Sequence, residues 1–346
     1  MRWNRALACA LLASVPLLIA AAPEAKTPLV HKTKYTMGTV YEIAVYDDQP
    51  LRASQAIDKA FAEIVRLDAV MSNFKPQSDL SRLNRNAHYH AEKVPADLYR
   101  VIEESVRYSK VSGGKFDITV GPLVDLWKAA LRGERVPTET EEQKLRECVG
   151  YEKIELLPPD RVEFHSPCMR IDLGSIGKGY AVDRAVEILR ANGIVNALVD
   201  AGQSTIYGMG APPRKSAWEV HLRDPSNHID PQVMLRENSV STSEQTPASL
   251  LGIETAGHII DPDNGKPLKT KYALSIVAKT GTASDALSTT LLLVGPAKGK
   301  AIVKSLVDAA AIWISAEGET AMATTGPQIR LGDKPQQEAA KAEGGE

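Results

Sequence analysis

Between Arg170 and Ala191 the chain reads RIDLGSIGKGYAVDRAVEILRA: an apolar run, a turn with glycines at 174, 177 and 179, then an amphipathic helix that stops at Asn192-Gly193. Glycines leave backbone N–H groups unshielded, and a helix start adds its own free N–H groups and a positive dipole end. A strand, glycine turn and helix in that order can seat a phosphate, and Lys178 lies inside the turn. The spacing is neither the dinucleotide fingerprint nor a Walker loop, because no Ser or Thr follows the lysine. On its own the segment fits a tight βαβ connection equally well. Strand Met169–Leu173, helix Tyr180–Arg190 and strand Ala197–Val199 are expected to form a right-handed crossover.

Other elements follow from periodicity. Tyr35–Tyr46 alternates as a strand, with Tyr41, Ile43 and Val45 on one side. Ser54–Met71 is a helix with Ile57, Phe61, Ile64 and Val65 on its buried stripe. Ser72–Asn86 is polar and irregular, a loop or a broken helix. Asp97–Ser109 is a helix stopped at Gly113-Gly114, and Phe116–Trp127 is a compact block. Arg132–Arg146 reads as a solvated helix between subdomains. Short strands come next: Trp218–Leu222, Ser239–Thr242 and His258–Asp261, the last running into a Pro262–Gly265 turn. A strand Ala273–Ala278, helices from Ser284 to Leu293 and over Lys298–Leu306, and a strand Ala310–Ile314 close the pattern. Strands and helices mix without strict alternation, so the expected class is α+β: mixed sheets with packed helices.

The N-terminus carries an export signal: Arg2 and Arg5, then the apolar run Ala6–Ala22, with cleavage expected between Ala20 and Ala25. Cys9 also sits in a loose lipoprotein box, and an uncleaved anchor is the other alternative. The domain boundaries expected are a signal peptide over 1–25, one domain over 30–327 and a disordered polar tail over 328–346. A net charge of −2 gives no support for nucleic-acid binding. Export makes a Cys148–Cys168 disulfide one option, two small buried apolar residues the other. No Cys-x-x-Cys or His-Glu-x-x-His occurs, which argues against structural zinc and zinc proteases.

Asp285 and Thr289 stand four residues apart at a helix start, so both oxygens share one face. A carboxylate with a hydroxyl is the hard-oxygen chemistry of Mg²⁺, with phosphate oxygens and water completing the shell. Thr282 followed by Asp285 is equally a capping pattern. His258, in HIIDPDNG, is a proton acceptor at neutral pH if it adjoins a reactive site. Asp117 and Asp172 are embedded in apolar sequence, so each needs backbone donors, a cation or a ligand. Met37 and Phe74, taken singly, are ordinary apolar residues.

Taken in order, TMGT (36–39), SNFKPQSDLSRLN (72–84), GGKFDITVGPLVDLW (113–127), IDLGSIGKGYAVD (171–183), DAG (200–202), STS (241–243), HIIDPDNGKP (258–267) and SDALSTTLLLVG (284–295) resemble the ApbE-like FAD:protein FMN transferase family. The resemblance implies a flavin site between two interlocked subdomains, outside the cytoplasm in the periplasm or cell envelope. It implies FAD as substrate, Mg²⁺, and an acceptor flavoprotein subunit with a target Thr, FMN being joined through a phosphoester as AMP leaves. Membrane association would come through that acceptor or an uncleaved N-terminus. Around FAD the resemblance puts Met37, Phe74, Lys115, Phe116, Asp117, Asp172 and Lys178. It assigns Mg²⁺ to the Ser175 carbonyl, Asp285 and Thr289 with Ser288 nearby, and makes His258 the base.

Two departures stand out. Gln203-Ser204 replaces the family's usual Gly-Asp after DAG, and Glu244-Gln245-Thr246 follows Ser243 where Gly-x-Tyr is common. They motivate one alternative, an exported flavin-binding protein without catalysis; a second, an FAD pyrophosphatase giving FMN and AMP, keeps the metal chemistry with water as acceptor.

Overall fold

The computed structural model describes residues 27–245 and 258–333, so the signal segment and the tail from Pro335 lie outside the described residues. In chain order the elements are β1 (Leu29–Thr36), β2 (Thr39–Tyr46), α1 (Pro50–Met71), α2 (Asp79–Asn86), β3 (Glu92–Lys93), α3 (Ala96–Ser112), α4 (Gly121–Leu131) and α5 (Glu139–Arg146). Then come β4 (Ile154–Leu157), β5 (Arg161–Phe164), α6 (Gly177–Ala191), β6 (Asn196–Ala201), β7 (Thr205–Met209), β8 (Trp218–His221), β9 (Ile229–Leu235) and β10 (Asn238–Glu244). Last are β11 (Ile260–Asp261), β12 (Lys266–Pro267), β13 (Tyr272–Ala278), α7 (Gly281–Ser305), β14 (Ala310–Ser315), β15 (Thr320–Thr324) and β16 (Ile329–Asp333).

The described strands build an eight-stranded sheet in the order β1-β2-β6-β7-β10-β13-β14-β15, antiparallel at every junction. One face, with Tyr41, Ile43, Val45, Leu274, Ile276 and Trp313, packs on α1, α6 and α7. The opposite face, with Val240, Val277, Ile312 and Ile314, is covered by the small sheet β16-β9-β8 through Trp218, Val220, Val233 and Leu235. Burial on both faces explains why β13 and β14 read as near-continuous apolar runs rather than alternating ones. The α+β class expected from the sequence is therefore the observed one.

A second, helical region spans α2 to β5. A smaller core of Leu123, Val124, Trp127 and Ile260 joins α4 to the β11–β12 hairpin. Cys148 and Cys168 form a disulfide, tying the end of α5 to the approach to the glycine turn.

Several expectations need correction. The βαβ crossover is absent: β6 lies antiparallel between β2 and β7, and Met169–Leu173 joins no sheet, bonding instead through an isolated bridge at Arg170, the Ile118 carbonyl and the Asn84 side chain. Its alternating Met169, Ile171 and Leu173 are buried in the main core without sheet pairing, and alternation alone cannot name the partner. Tyr35–Tyr46 is a hairpin turning at Met37-Gly38, both at positive φ. Of the two readings of 72–86 the broken helix is the observed one, since Ser78 caps α2 by accepting from the Ser81 amide. Residues 121–131 are helix α4. The ordered chain passes the expected 327 boundary, because β16 pairs with β9. The two helices expected near 284–306 are present, by contrast, and run as α7 through a kink at Gly295, φ 72° and ψ 173°, just before Pro296.

Candidate active site

The glycine turn and the Asp285 helix meet where α6 and α7 cross. A Cβ on Gly179 would lie 2.6 Å from the Gly281 carbonyl carbon and 2.7 Å from Asp285 Cβ, and one on Gly281 would lie 2.6 Å from the Gly179 carbonyl oxygen. Only glycine permits that approach. One helical turn on from Gly179, Asp183 reaches the start of α7, accepting from the Gly281 amide (2.6 Å), the Thr282 amide (2.8 Å) and the Thr282 hydroxyl (2.6 Å). Thr280 caps α7 locally by accepting from the Ala283 amide. The free N–H groups at this helix start thus have partners that leave Asp285 out.

Asp285 is 5% exposed, and the Gly179 amide (2.9 Å to Oδ2) is its one hydrogen-bond donor among the described residues. Burial holds its carboxyl above the usual carboxylate range, with Lys178 and that amide only partly offsetting the effect. A buried carboxylate with so few donors calls for a cation. The helix face is set by a ladder of hydroxyls that matches strand period to helix period. Ser239 and Ser241 of β10 meet Ser284 at 2.9 and 2.7 Å, while Ser243 meets Ser288 at 2.7 Å and Thr289 at 3.4 Å.

These groups face a cleft of about 1840 Å³ whose walls include Ser175, Lys178, Thr289, Lys128, Gln203 and His258. Asp285, Asp172, Asp117, Lys115 and Phe116 line it as well. Lys115 bonds to Asp261 (2.8 Å) and Asp263 (2.7 Å); partial burial works to lower its pKa, and the two carboxylates more than reverse that. Asp117 accepts from the Thr119 amide and hydroxyl and from the Tyr151 amide, so it braces the backbone under the cleft. Burial still pushes its carboxyl upward. Asp172 accepts from the Gly174 amide at 2.7 Å and faces Lys128 at 4.0 Å. His258 stands exposed at the cleft mouth. Partial desolvation, then Lys128 and Lys178, hold its imidazole below the usual histidine range, while Asp172 works the other way.

The model of the ApbE family matches residues 37–313 of this chain. The chain belongs to the ApbE family. The FAD:protein FMN transferase of Haemophilus influenzae is 29% identical over 308 residues, covering 80% of this chain and 84% of its own length. That of Vibrio cholerae is 27% identical over 313 residues, covering 85% and 90%. The apo crystal structure of Pseudomonas stutzeri flavinyl transferase ApbE matches with a TM-score of 0.76 at 26% identity, over 89% of this chain and 96% of that one.

In this ApbE protein, Lys115, Phe116, Asp117, Asp172, Ser175, Lys178, His258, Asp285 and Thr289 share one cleft. Met37 and Phe74 do not line it. Met37 sits in the β1–β2 turn, its Cε 3.9 Å from where a Gly177 Cβ would stand, and Phe74 is 84% exposed with Lys128 Nζ 5.4 Å from its ring centre. The donor set suits Mg²⁺. Among the described residues no group of three or more His, Cys, Asp or Glu side chains could hold a metal, so an ion here would draw on Asp285, hydroxyl and carbonyl oxygens, water and substrate. The capping alternative for Asp285 is set aside, since Thr280 and Asp183 fill that role. Sequence reasoning missed Asp183, Lys128 and Gln245. For Asp183 a signal existed: it lies one helical turn from Gly179 and so shares the crossing face.

Proposed function

We infer that this chain is an exported FAD:protein FMN transferase, moving FMN from FAD to a threonine hydroxyl of an acceptor protein with Mg²⁺ and releasing AMP. The observation that carries the reading is Asp285, a buried carboxylate with one hydrogen-bond donor, held beside the glycine turn at the edge of a large cleft. Small-ligand pockets run to about 300–1,000 Å³. The cleft exceeds that, which supports a substrate of dinucleotide size with room for an acceptor segment.

Asp285, Thr289 and the Ser175 carbonyl would hold the metal, and Mg²⁺ there supplies charge neutralisation at phosphate oxygens. Lys178 adds positive charge on the same wall, so the diphosphate would rest between the 174–179 turn and the start of α7. The chain's part is largely positioning and electrostatic stabilisation. The acceptor oxygen bonds to the FMN-side phosphorus, the P–O bond of the anhydride breaks, and AMP carries away the electron pair. His258, kept neutral at pH 7 by its lowered pKa, takes the hydroxyl proton. Export is supported by the N-terminal charge and apolar pattern and by the Cys148–Cys168 disulfide. Among the described residues no helix is long and apolar enough to cross a membrane.

The test incubates purified protein with FAD, Mg²⁺ and cell-envelope proteins of its source. Mass spectrometry should find an FMN phosphoester on an acceptor threonine, with one AMP released per flavin attached. His258→Ala and Asp285→Ala should both lose transfer. Rapid AMP release without any acceptor points to the pyrophosphatase, and calorimetry detecting no FAD uptake with Mg²⁺ present overturns both.

A further inference from the structure

Gln245 directly follows β10 and is 8% exposed. Its side-chain hydrogen bonds go to the backbone at the open end of the β11–β12 hairpin, on both the His258 arm and the Leu268 arm. Oε1 accepts from the His258 amide (3.1 Å) and the Ile259 amide (3.2 Å), and Nε2 donates to the Ile259 carbonyl (3.0 Å) and the Leu268 carbonyl (3.3 Å). A carboxamide offers two acceptor sites and two donors, and here each is used. These partners lie just before β11 and just after β12, where the Leu268 amide also donates to the Ile259 carbonyl (2.8 Å), so the side chain clamps the two arms of the hairpin together beside His258.

Two residues upstream, Ser243 contacts Ser288 and Thr289. The end of β10 therefore touches both reactive sides of the cleft: the α7 face bearing Asp285 and Thr289, and the backbone amide of His258 itself. With that amide fixed, the imidazole moves only through its own two side-chain torsions. We propose that Gln245 is a positioning residue for His258, setting the distance between the base and the phosphate-holding wall without touching substrate. The proposal rests on the transferase reading above.

Gln245→Met preserves length and most of the volume while removing all four bonds. In that variant FAD affinity with Mg²⁺, read by flavin fluorescence, should stay within about 3-fold, while single-turnover transfer to the acceptor falls about 10- to 100-fold, as expected when a reacting group is misplaced by an ångström or less. Hydrogen exchange should quicken at the His258 and Ile259 amides. Should the methionine variant not fold, Gln245→Asn, one methylene short of its partners, must show the same split between affinity and rate. Transfer at the wild-type rate, a loss lying wholly in FAD affinity, or unchanged exchange at the two amides overturns the proposal. Failure of the unaltered chain to transfer flavin is a separate result that strikes the transferase reading, and exchange at His258 and Ile259 without FAD still decides the role of Gln245.

Discussion

Gly179→Ala should disable the site, whereas Gly177→Ala, two residues earlier in the same motif, should leave it working. A Cβ at 179 would lie 2.6 Å from the Gly281 carbonyl carbon and 2.7 Å from Asp285 Cβ. Neither neighbour is the end of a flexible side chain, so neither can swing aside. Restoring ordinary carbon–carbon separations of about 3.5–4.0 Å requires α6 and α7 to part by about 1 Å. Overpacking of this kind costs about 1–3 kcal/mol. At about 2 °C per kcal/mol for a chain of this size, Tm should fall about 2–6 °C. The same displacement stretches the bond from the Gly179 amide to Asp285, and an ångström of misplacement at a reactive centre is worth about 100-fold in rate. At 177 the nearest atoms to an added Cβ are Leu173 Cβ at 3.8 Å and Met37 Cε at 3.9 Å, ordinary contacts. Alanine there gains up to about 1 kcal/mol of helix propensity. Scanning calorimetry and Mg²⁺-dependent flavin transfer measure both effects. A Gly179→Ala protein with unaltered Tm and rate, or a Gly177→Ala protein equally damaged, would refute the reasoning.

Asp285→Asn should raise Tm in the absence of metal, because burial disfavours the ionised carboxyl, and should abolish the further rise that FAD and Mg²⁺ produce together; thermal shift with and without both ligands reads the two effects, and a surviving ligand-induced rise contradicts the metal assignment. Lys128→Met removes one of two cations that disfavour the His258 imidazolium, so the histidine pKa rises and the acid limb of the transfer rate moves to higher pH; an unmoved limb means Lys128 does not act on the base. Gln203 holds φ 61°, a left-handed conformation that a side chain makes unfavourable by about 1–2 kcal/mol. Gln203→Gly should therefore raise Tm by about 2–4 °C, and calorimetry showing a fall would place compensating contacts on the Gln203 side chain.

The parts legible in the sequence were those whose signal is local. The glycines at 174–179 and the 3.6-residue pattern after them marked α6, and the apolar runs at 273–278 and 310–314 marked central strands. Met169–Leu173 misled because an alternating buried segment looks the same whether or not it pairs in a sheet. Helix α2 was obscured because only Leu80 and Leu83 of its residues are buried. The site residues emerged through the family resemblance, and their physical roles did not. Nothing local distinguishes Asp183, which caps a helix some hundred residues downstream, from Asp285, which is left facing the cleft. That difference arises only when α6 crosses α7.

Two acidic groups crowd the opening turn of α7, and the polarity of that helix end is consumed by the one that bonds its amides. An incoming dinucleotide therefore meets a region already rich in negative potential, where a bare anion would be repelled. Lys178, the cation that acts on Asp285, is a modest counterweight. On the proposed transferase reading, that field would favour a divalent ion entering before or together with the nucleotide, so the order of addition would follow from how two helices touch.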